Sequence, residues 1–401
     1  MERTEDMLIA VASLHDAADP NAGRMLAGQI EERLGGRSAD LCLFFASAHF
    51  DDAIERIVAD FYEQLSPRSL IGCSAETVVC EAHEYENQPT IGVWAASLPE
   101  VRIRSFHLAQ EDIERFAEPA EWHEHLDVQP RQQPYFILLT DPFTFNLPAF
   151  LERFNRAFPR RPAIGGVASA GEAPRQNTIV FEGQTLRSGL CGVALSGNLE
   201  LDTIVSQGCR PIGHHLIVTE AERNVIRTLE GRPSLTVLKE TLFNCSNHDI
   251  ELARSGGVLI GRAINDTQSS FTRGDFLIRN PIGFEEESGA MAINDIVHTG
   301  QTVQFHVRDR ESAEDDLITL LAARPRSGAA GALLFTCNGR GSRMFGRRHH
   351  DAQAIADAGD KLPIGGMSCA GEIGPVGHRN FIHGFTACAA FFRRPEPAPK
   401  D

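Results

Sequence analysis

Three continuous apolar runs punctuate the chain: Leu41-Cys-Leu-Phe-Phe-Ala-Ser47, Tyr135-Phe-Ile-Leu-Leu-Thr-Asp141 and Ala332-Leu-Leu-Phe-Thr-Cys337. Runs this short, with no polar alternation, predict strands buried on both faces. A helical pattern follows each. Ile54, Ile57, Val58, Phe61 and Leu65 fall on one stripe at i, i+3, i+4, i+7 and i+11. Phe150, Leu151, Phe154 and Phe158 form a second stripe behind Pro148, a residue suited to a first helical turn. The third pattern, around 350–359, is weaker, with Ile355 as its only large apolar residue. Then comes a recurring motif: Ile71-Gly-Cys-Ser-Ala-Glu76, Ile164-Gly-Gly-Val-Ala-Ser-Ala-Gly-Glu172 and Ile364-Gly-Gly-Met-Ser-Cys-Ala-Gly-Glu372. The unit is therefore strand, loop, helix, strand, which implies parallel pairing through a right-handed crossover.

Further strands follow each motif, at 90–96, at 177–183 and 190–195, and at 384–392, with hairpin signals between them. Mixing crossovers with hairpins predicts an α+β fold: two pseudo-related lobes of repeated strand-helix-strand-hairpin units, with mixed sheets and outer helices. Gly231-Arg-Pro-Ser234 is the best internal break. The expected organisation is a helical segment over 1–39, a domain of two repeat units over 40–230, and a second domain over 231–394. That second domain would combine an all-β stretch at 276–308 with the third repeat unit, and 395–401 would be a disordered tail.

Composition narrows the function. With 38 Lys and Arg against 54 Asp and Glu, the net charge is −16. Such a surface repels phosphate backbones and anionic headgroups, arguing against nucleic acid or membrane as partners. The acidic start, Met1-Glu-Arg-Thr-Glu-Asp-Met7, is unlike a signal peptide, and no apolar run reaches the ~18 residues of a membrane span. Nine cysteines without a C-x-x-C pair predict reduced thiols and a cytoplasmic location.

Chemistry concentrates in the third repeat. Cys337-Asn-Gly-Arg-Gly341 ends a buried strand, at the place held by Ser47 and Asp141 upstream. Ser368 and Glu372 belong to the third motif, and His378, Arg379, Asn380 and His383 follow within a dozen residues. If these segments meet, Arg340 and Arg379 clamp a carboxylate while Asn338, Asn380 and Glu372 read an amine or amide. The expected ligand site is thus Cys337, Asn338, Arg340, Ser368, Glu372, His378, Arg379, Asn380 and His383, with no metal. Cys337 or Cys369 with His383 and Glu372 would make a thiol nucleophile, base and orienter, an alternative in which the protein is an enzyme acting on a small acid or amide. The adjacent pairs His214-His215 and His349-His350 chelate poorly, so no cofactor is expected, although one histidine suffices as a haem ligand.

The chain resembles the FIST proteins, with an N-terminal and a C-terminal FIST domain. The resemblance rests on Phe45-Ala-Ser-Ala-His-Phe50, Ile71-Gly-Cys-Ser74, Val205-Ser-Gln-Gly-Cys-Arg-Pro-Ile-Gly213 and Gly274-Asp-Phe-Leu-Ile-Arg279. Gln304-Phe-His-Val-Arg-Asp309, Cys337-Asn-Gly-Arg-Gly341 and Gly371-Glu-Ile-Gly-Pro-Val-Gly377 complete it. It implies a cytoplasmic sensory module in signal transduction that recognises an amino acid or similar small polar metabolite. The chain departs from the family's usual association with output domains, with no kinase, cyclase or DNA-binding segment apparent, so output is expected through a separate signalling protein or through no partner at all. One branch of the family resembles haem-bound nitric oxide sensors, which makes a gas sensor the other alternative. The first motif departs from the Ala-Gly-Glu pattern, which points to a structural role for that unit.

Overall fold

A computed structural model describes residues 6–268, 270–323, 328–359 and 361–395. The chain forms two compact units, one of residues up to 205 with 320–382 and 386 onward, the other of 206–319 with 383–385. All three repeats lie in the first unit, so the compact units do not follow a division at residue 231.

The first repeat runs β1 (Leu8–Leu14), α1 (Ala22–Arg33), β2 (Leu41–Ala46), α2 (Ile54–Leu65), β3 (Leu70–Ser74), the hairpin β4 (Thr77–Cys80) and β5 (His83–Glu86), and β6 (Ile91–Ser97). The second runs β7 (Val101–Leu108), α3 (Gln110–Arg115), α4 (Pro119–Leu126), β8 (Tyr135–Thr140), α5 (Leu147–Ala157) and β9 (Ala163–Val167). Its hairpin is β10 (Ile179–Phe181) and β11 (Gln184–Leu186), closed by β12 (Leu190–Gly197). The third opens with β13 (Glu200–Gln207), and the second compact unit is then inserted in the sequence.

That inserted unit contains β14 (Cys209–Glu222), β15 (Val225–Leu229), β16 (Arg232–Pro233), α6 (Ser234–Phe243), α7 (Asn247–Gly256) and β17 (Val258–Ala263). Next come β18 (Phe276–Arg279), β19 (Pro281–Glu285), β20 (Ala290–Ile293) and β21 (Thr302–Arg308), and α8 (Arg310–Ala322) leads back to the first unit. Its strands follow the order β18-β17-β21-β14-β15-β20-β19, around a core that includes Ile212, Val218, Ile226 and Phe305. The all-β stretch at 276–308 therefore shares one sheet with β14, β15 and β17. The third repeat resumes with β22 (Ala329–Cys337), α9 (Ser342–Phe345), α10 (His350–Ala358), β23 (Ile364–Cys369), the hairpin β24 (Glu372–Val376) and β25 (Arg379–His383), and β26 (Thr386–Arg393).

The α+β class expected from the sequence holds. Three six-stranded sheets of the first unit share one plan: β1-β6-β2-β3-β10-β11, β7-β12-β8-β9-β24-β25 and β13-β26-β22-β23-β4-β5. In each, the two motif-flanking strands pair in parallel and the return strand is antiparallel. The hairpin closing each sheet comes from another repeat. Hairpin β4–β5 completes the third sheet, β10–β11 the first and β24–β25 the second, a closed cyclic exchange. Inner faces of all three sheets meet in one core that includes Phe45, Trp94, Ile137, Leu139, Phe335 and Met367. Helices cover the outer faces: α1 and α2 on the first sheet, α4 and α5 on the second. Strands packed on both faces explain the unbroken apolar runs.

The motif glycines serve this pairing. Gly72, Gly165 and Gly366 lie opposite Phe44, Leu138 and Leu334, where an added Cβ would sit 2.0, 1.9 and 1.8 Å from the facing carbonyl oxygen. Gly165 and Gly366 also adopt φ of 150° and 152°, which side chains rarely tolerate. In register, Gly366 matches Gly165, so the third motif is shifted by one residue from its apparent alignment and Ile164 does not correspond to Ile364.

Residues 1–39 hold a strand as well as the expected helix. Leu8–Leu14 pairs antiparallel with β6 along its whole length, and its apolar side chains join both neighbouring cores. The expected tail lies outside the described residues from 396 onward. Among the described residues no helix is long and apolar enough to cross a membrane, and all nine cysteines are free.

Candidate functional site

Parallel strands end together, and the loops leaving those ends build the cavities. Cys337 ends β22, three residues beyond Leu334, as Ser47 and Asp141 stand three beyond Phe44 and Leu138. The chain then turns sharply, with Arg340 N–H donating to the Cys337 carbonyl (2.8 Å) and Gly341 at φ 58°. A Cβ at Gly341 would lie 2.6 Å from Glu86 Oε1, and that carboxylate accepts from both Ser342 N–H and Ser342 Oγ.

This turn sends Arg340 inward. Its side chain is fully buried and grips Asp351, in the first turn of α10, through Nε (2.7 Å) and Nη2 (2.8 Å). Asp351 also accepts from Thr336 Oγ1 (2.6 Å) and contacts His350 Nδ1 (2.9 Å), whose ring stacks on Phe345. Burial alone would raise the Asp351 carboxyl, but Arg340 and these hydrogen bonds hold it well below the usual range. The opposite happens next door. Burial and the Asp351 charge push Glu84 up, and burial pushes Glu372 up to about 8. The buried site thus sets a guanidinium–carboxylate pair beside two glutamic acids whose protonated forms burial favours.

Among the described residues, three buried polar atoms here find no hydrogen-bond partner: Arg340 Nη1, Asn338 Oδ1 and Glu372 Oε1. Such groups are uncommon in native interiors, and each costs about 1–3 kcal/mol unless something else satisfies it. Arg340 and Asn338 line a cavity of about 20 Å³ with Cys337, Glu76, Glu84 and Glu86. Glu372 lies just below, with Oε2 accepting from Thr386 N–H (3.2 Å) and Oγ1 (2.7 Å), and the Cys337 thiol beside it. Arg343 and Glu76 pair at the rim. Glu76 ends the first motif and Thr77 follows it, so that unit contributes to the third repeat's cavity as well as to structure. The corresponding place in the first repeat is a cavity of about 290 Å³ lined by residues that include Ser47, Asp51, Ser74 and Arg175. There the wall comes from the second motif's loop, at Ala170 and Gly171.

Of the nine expected site residues, Cys337, Asn338, Arg340 and Ser368 surround this cavity and Glu372 lies beneath it. Ser368 Oγ accepts from Thr77 N–H (3.0 Å). The other four are elsewhere, because β24–β25 crosses to the second sheet. His378 and Arg379 are exposed, His378 near Arg160 (3.5 Å) and Arg379 over Phe381. The expected Arg340–Arg379 clamp is therefore absent. Asn380 is buried as a lock, donating to Asn155 Oδ1 (3.0 Å) and the Arg161 carbonyl (2.9 Å) while accepting from Ala163 N–H (2.8 Å). His383 is buried and belongs to the second compact unit. Asp351, Glu84 and Glu86 escaped the sequence reading. The one signal for Glu84 and Glu86 was the charged alternation of His83-Glu-Tyr-Glu86 behind the first motif.

Cys369 offers no nucleophile, since burial pushes its thiol well above the usual range. His83 lines a large cavity, but its ring is stacked on Tyr85 and edge-on to His349, while His306 is packed on Phe276 and held neutral by burial.

The FIST N domain matches residues 40–232 and the FIST C domain residues 234–375. The chain belongs to the FIST family. FIST domains are sensor modules of signal transduction. The uncharacterized protein Rv0628c of Mycobacterium tuberculosis is 39% identical over 365 residues, 90% of this chain and 93% of its own. Mb0898c of Mycobacterium bovis, another uncharacterized protein, is 37% identical over 369 residues, 91% and 94%. Among solved structures, a cyanuric acid hydrolase from A. caulinodans covers 97% of this FIST protein and 100% of its own chain at 9% identity and a TM-score of 0.38. Likeness of that size says nothing about activity.

Proposed function

We propose that this FIST protein is a cytoplasmic sensor that binds a small polar metabolite, an amino acid or a close relative, at the end of β22. The observation that carries this reading is the buried Arg340, whose Nη1 has no acceptor among the described residues although its other nitrogens are bidentate on Asp351. A ligand carboxylate or carbonyl would accept from Nη1, and an adjacent N–H would donate to Asn338 Oδ1. The rim carboxylates Glu76 and Glu86 favour an ammonium next to that head group. A cavity of about 20 Å³ has room for about one water-sized group, so only the terminal atoms of the end group enter while the rest of the ligand stays at the mouth. Output passes to a separate signalling protein.

A thermal-shift screen of the common amino acids and their amides tests this. At a hundredfold excess over Kd a ligand adds ~2.7 kcal/mol, worth roughly 5 °C for a unit of this size. The shift should vanish in Asn338→Leu. No shift from any of these compounds would refute the proposal.

A further inference from the structure

We infer that the free edge of β19 is a docking site for a partner protein, received as an added strand that alternates apolar and basic side chains. β19 is the last strand of its sheet, paired with β20 on one side and with no strand on the other among the described residues. Its two large apolar side chains face solvent, Ile282 at 62% and Phe284 at 48% exposed. Phe284 is in register with Met291, which sits in the core with Val237 and Leu238 of α6. Cross-strand partners share a face, so Phe284 carries the floor of that core out past its covering helix.

Glu285 follows on the opposite face, and Glu286 and Glu287 continue into the turn, both exposed. None of the three makes an ion pair among the described residues. Arg227 lies within electrostatic reach of Glu285 but is held by Glu222 (2.6 Å) and Glu220 (3.9 Å). Over residues 220–243 and 281–293, which span this edge and the elements packed beside it, seven acidic side chains stand against four basic ones. The edge therefore offers an apolar face and an acidic face with a period of two. Its complement is a strand that sets an apolar residue beside Phe284 and a cation beside Glu285. A second copy of this chain fits poorly, because each copy carries a net charge of −16 and would bring the same glutamates to the contact. Pro281 and the register irregularity at Ile282 blunt the edge further against self-pairing. Nothing in this inference uses the Arg340 cavity, and its test contains no metabolite.

Fluorescence anisotropy of the full chain with a short labelled peptide alternating valine and lysine tests it. A valine–glutamate peptide and a serine–lysine peptide serve as the charge-reversed and apolar-deleted probes. The valine–lysine peptide should bind saturably, and each of the others at least about tenfold more weakly. Phe284→Asp should abolish binding although it adds a negative charge, whereas loose attraction to an acidic surface would grow. Glu286→Lys with Glu287→Lys, in the exposed turn, should weaken the valine–lysine peptide at least about tenfold and improve the valine–glutamate one. Glu111→Lys with Glu114→Lys, the same charge change on exposed positions of α3, should leave binding unchanged. Circular dichroism verifies folding, and if Phe284→Asp unfolds, the two charge exchanges carry the comparison. No saturable binding of the valine–lysine peptide, equal binding of the serine–lysine peptide, undiminished binding to folded Phe284→Asp, or equal losses in the two charge exchanges would each overturn the inference.

Discussion

Glu372→Gln should make the protein more stable, and increasingly so as pH rises. The Glu372 carboxyl is fully buried, and burial pushes it from the ordinary 4.5 up to about 8. Between those values the folded protein keeps a proton that the unfolded chain has released. Stability is therefore greatest below pH 4.5 and falls as pH climbs towards 8. At ~1.4 kcal/mol per pH unit across that window, the loss comes to about 5 kcal/mol as an upper bound. Glutamine keeps the shape and cannot ionise. Its carbonyl can accept from Thr386 N–H and Oγ1 as Glu372 Oε2 does, and its amide takes the place beside Cys337. Glu84 contributes a similar slope, but it is common to both proteins and cancels in the difference. Both tryptophans, Trp94 and Trp122, lie in the compact unit that holds Glu372, so urea titrations followed by tryptophan fluorescence report on the right unit. The advantage of Glu372→Gln over wild type should grow by several kcal/mol from pH 5 to pH 8. A constant difference across that range would refute the assignment of a buried, protonated Glu372.

Other outcomes follow from the same geometry. Asp351→Asn leaves Arg340 buried without its counter-charge and should cost about 3–5 kcal/mol in urea denaturation. Gly366→Ala forces a Cβ to 1.8 Å from the Leu334 carbonyl at a φ of 152°, and a loss of about 3 kcal/mol or more should appear as a lower Tm. Of the nine thiols, Cys245 and Cys337 are the half-buried pair and should react first with a thiol reagent at pH 8; prior labelling of Cys42, Cys369 or Cys388 would contradict the packing.

Much of the fold was legible because its signals are local. The apolar runs of β2, β8 and β22 and the stripes of α2 and α5 each need only a dozen residues to be read. The hairpin exchange was not legible. Val79 pairs with Gly366 across most of the chain, and nothing near β4 says that its sheet partner belongs to another repeat. The one-residue shift of the third motif was hidden for a related reason. Only the facing carbonyls of Leu138 and Leu334 reveal which glycine of each pair is required. The site was half legible on the same grounds. Cys337, Asn338 and Arg340 sit on one turn, so proximity in sequence was proximity in space. His378, Arg379 and Asn380 were close in sequence to Glu372 but ride β25 away from it, whereas Glu84 and Glu86 arrive on a hairpin from the first repeat.

The ligand is expected to be received by Arg340. Removing it alone would strand Asp351, so the pair is best replaced together by Arg340→Met with Asp351→Leu, an exchange that can leave stability nearly unchanged. Calorimetric titration of the strongest amino-acid hit into wild type and into this double variant, with folding verified by fluorescence, measures what the guanidinium contributes to binding. We expect binding to wild type and a loss of at least a hundredfold in the variant; equal affinity in a folded double variant would place the ligand elsewhere.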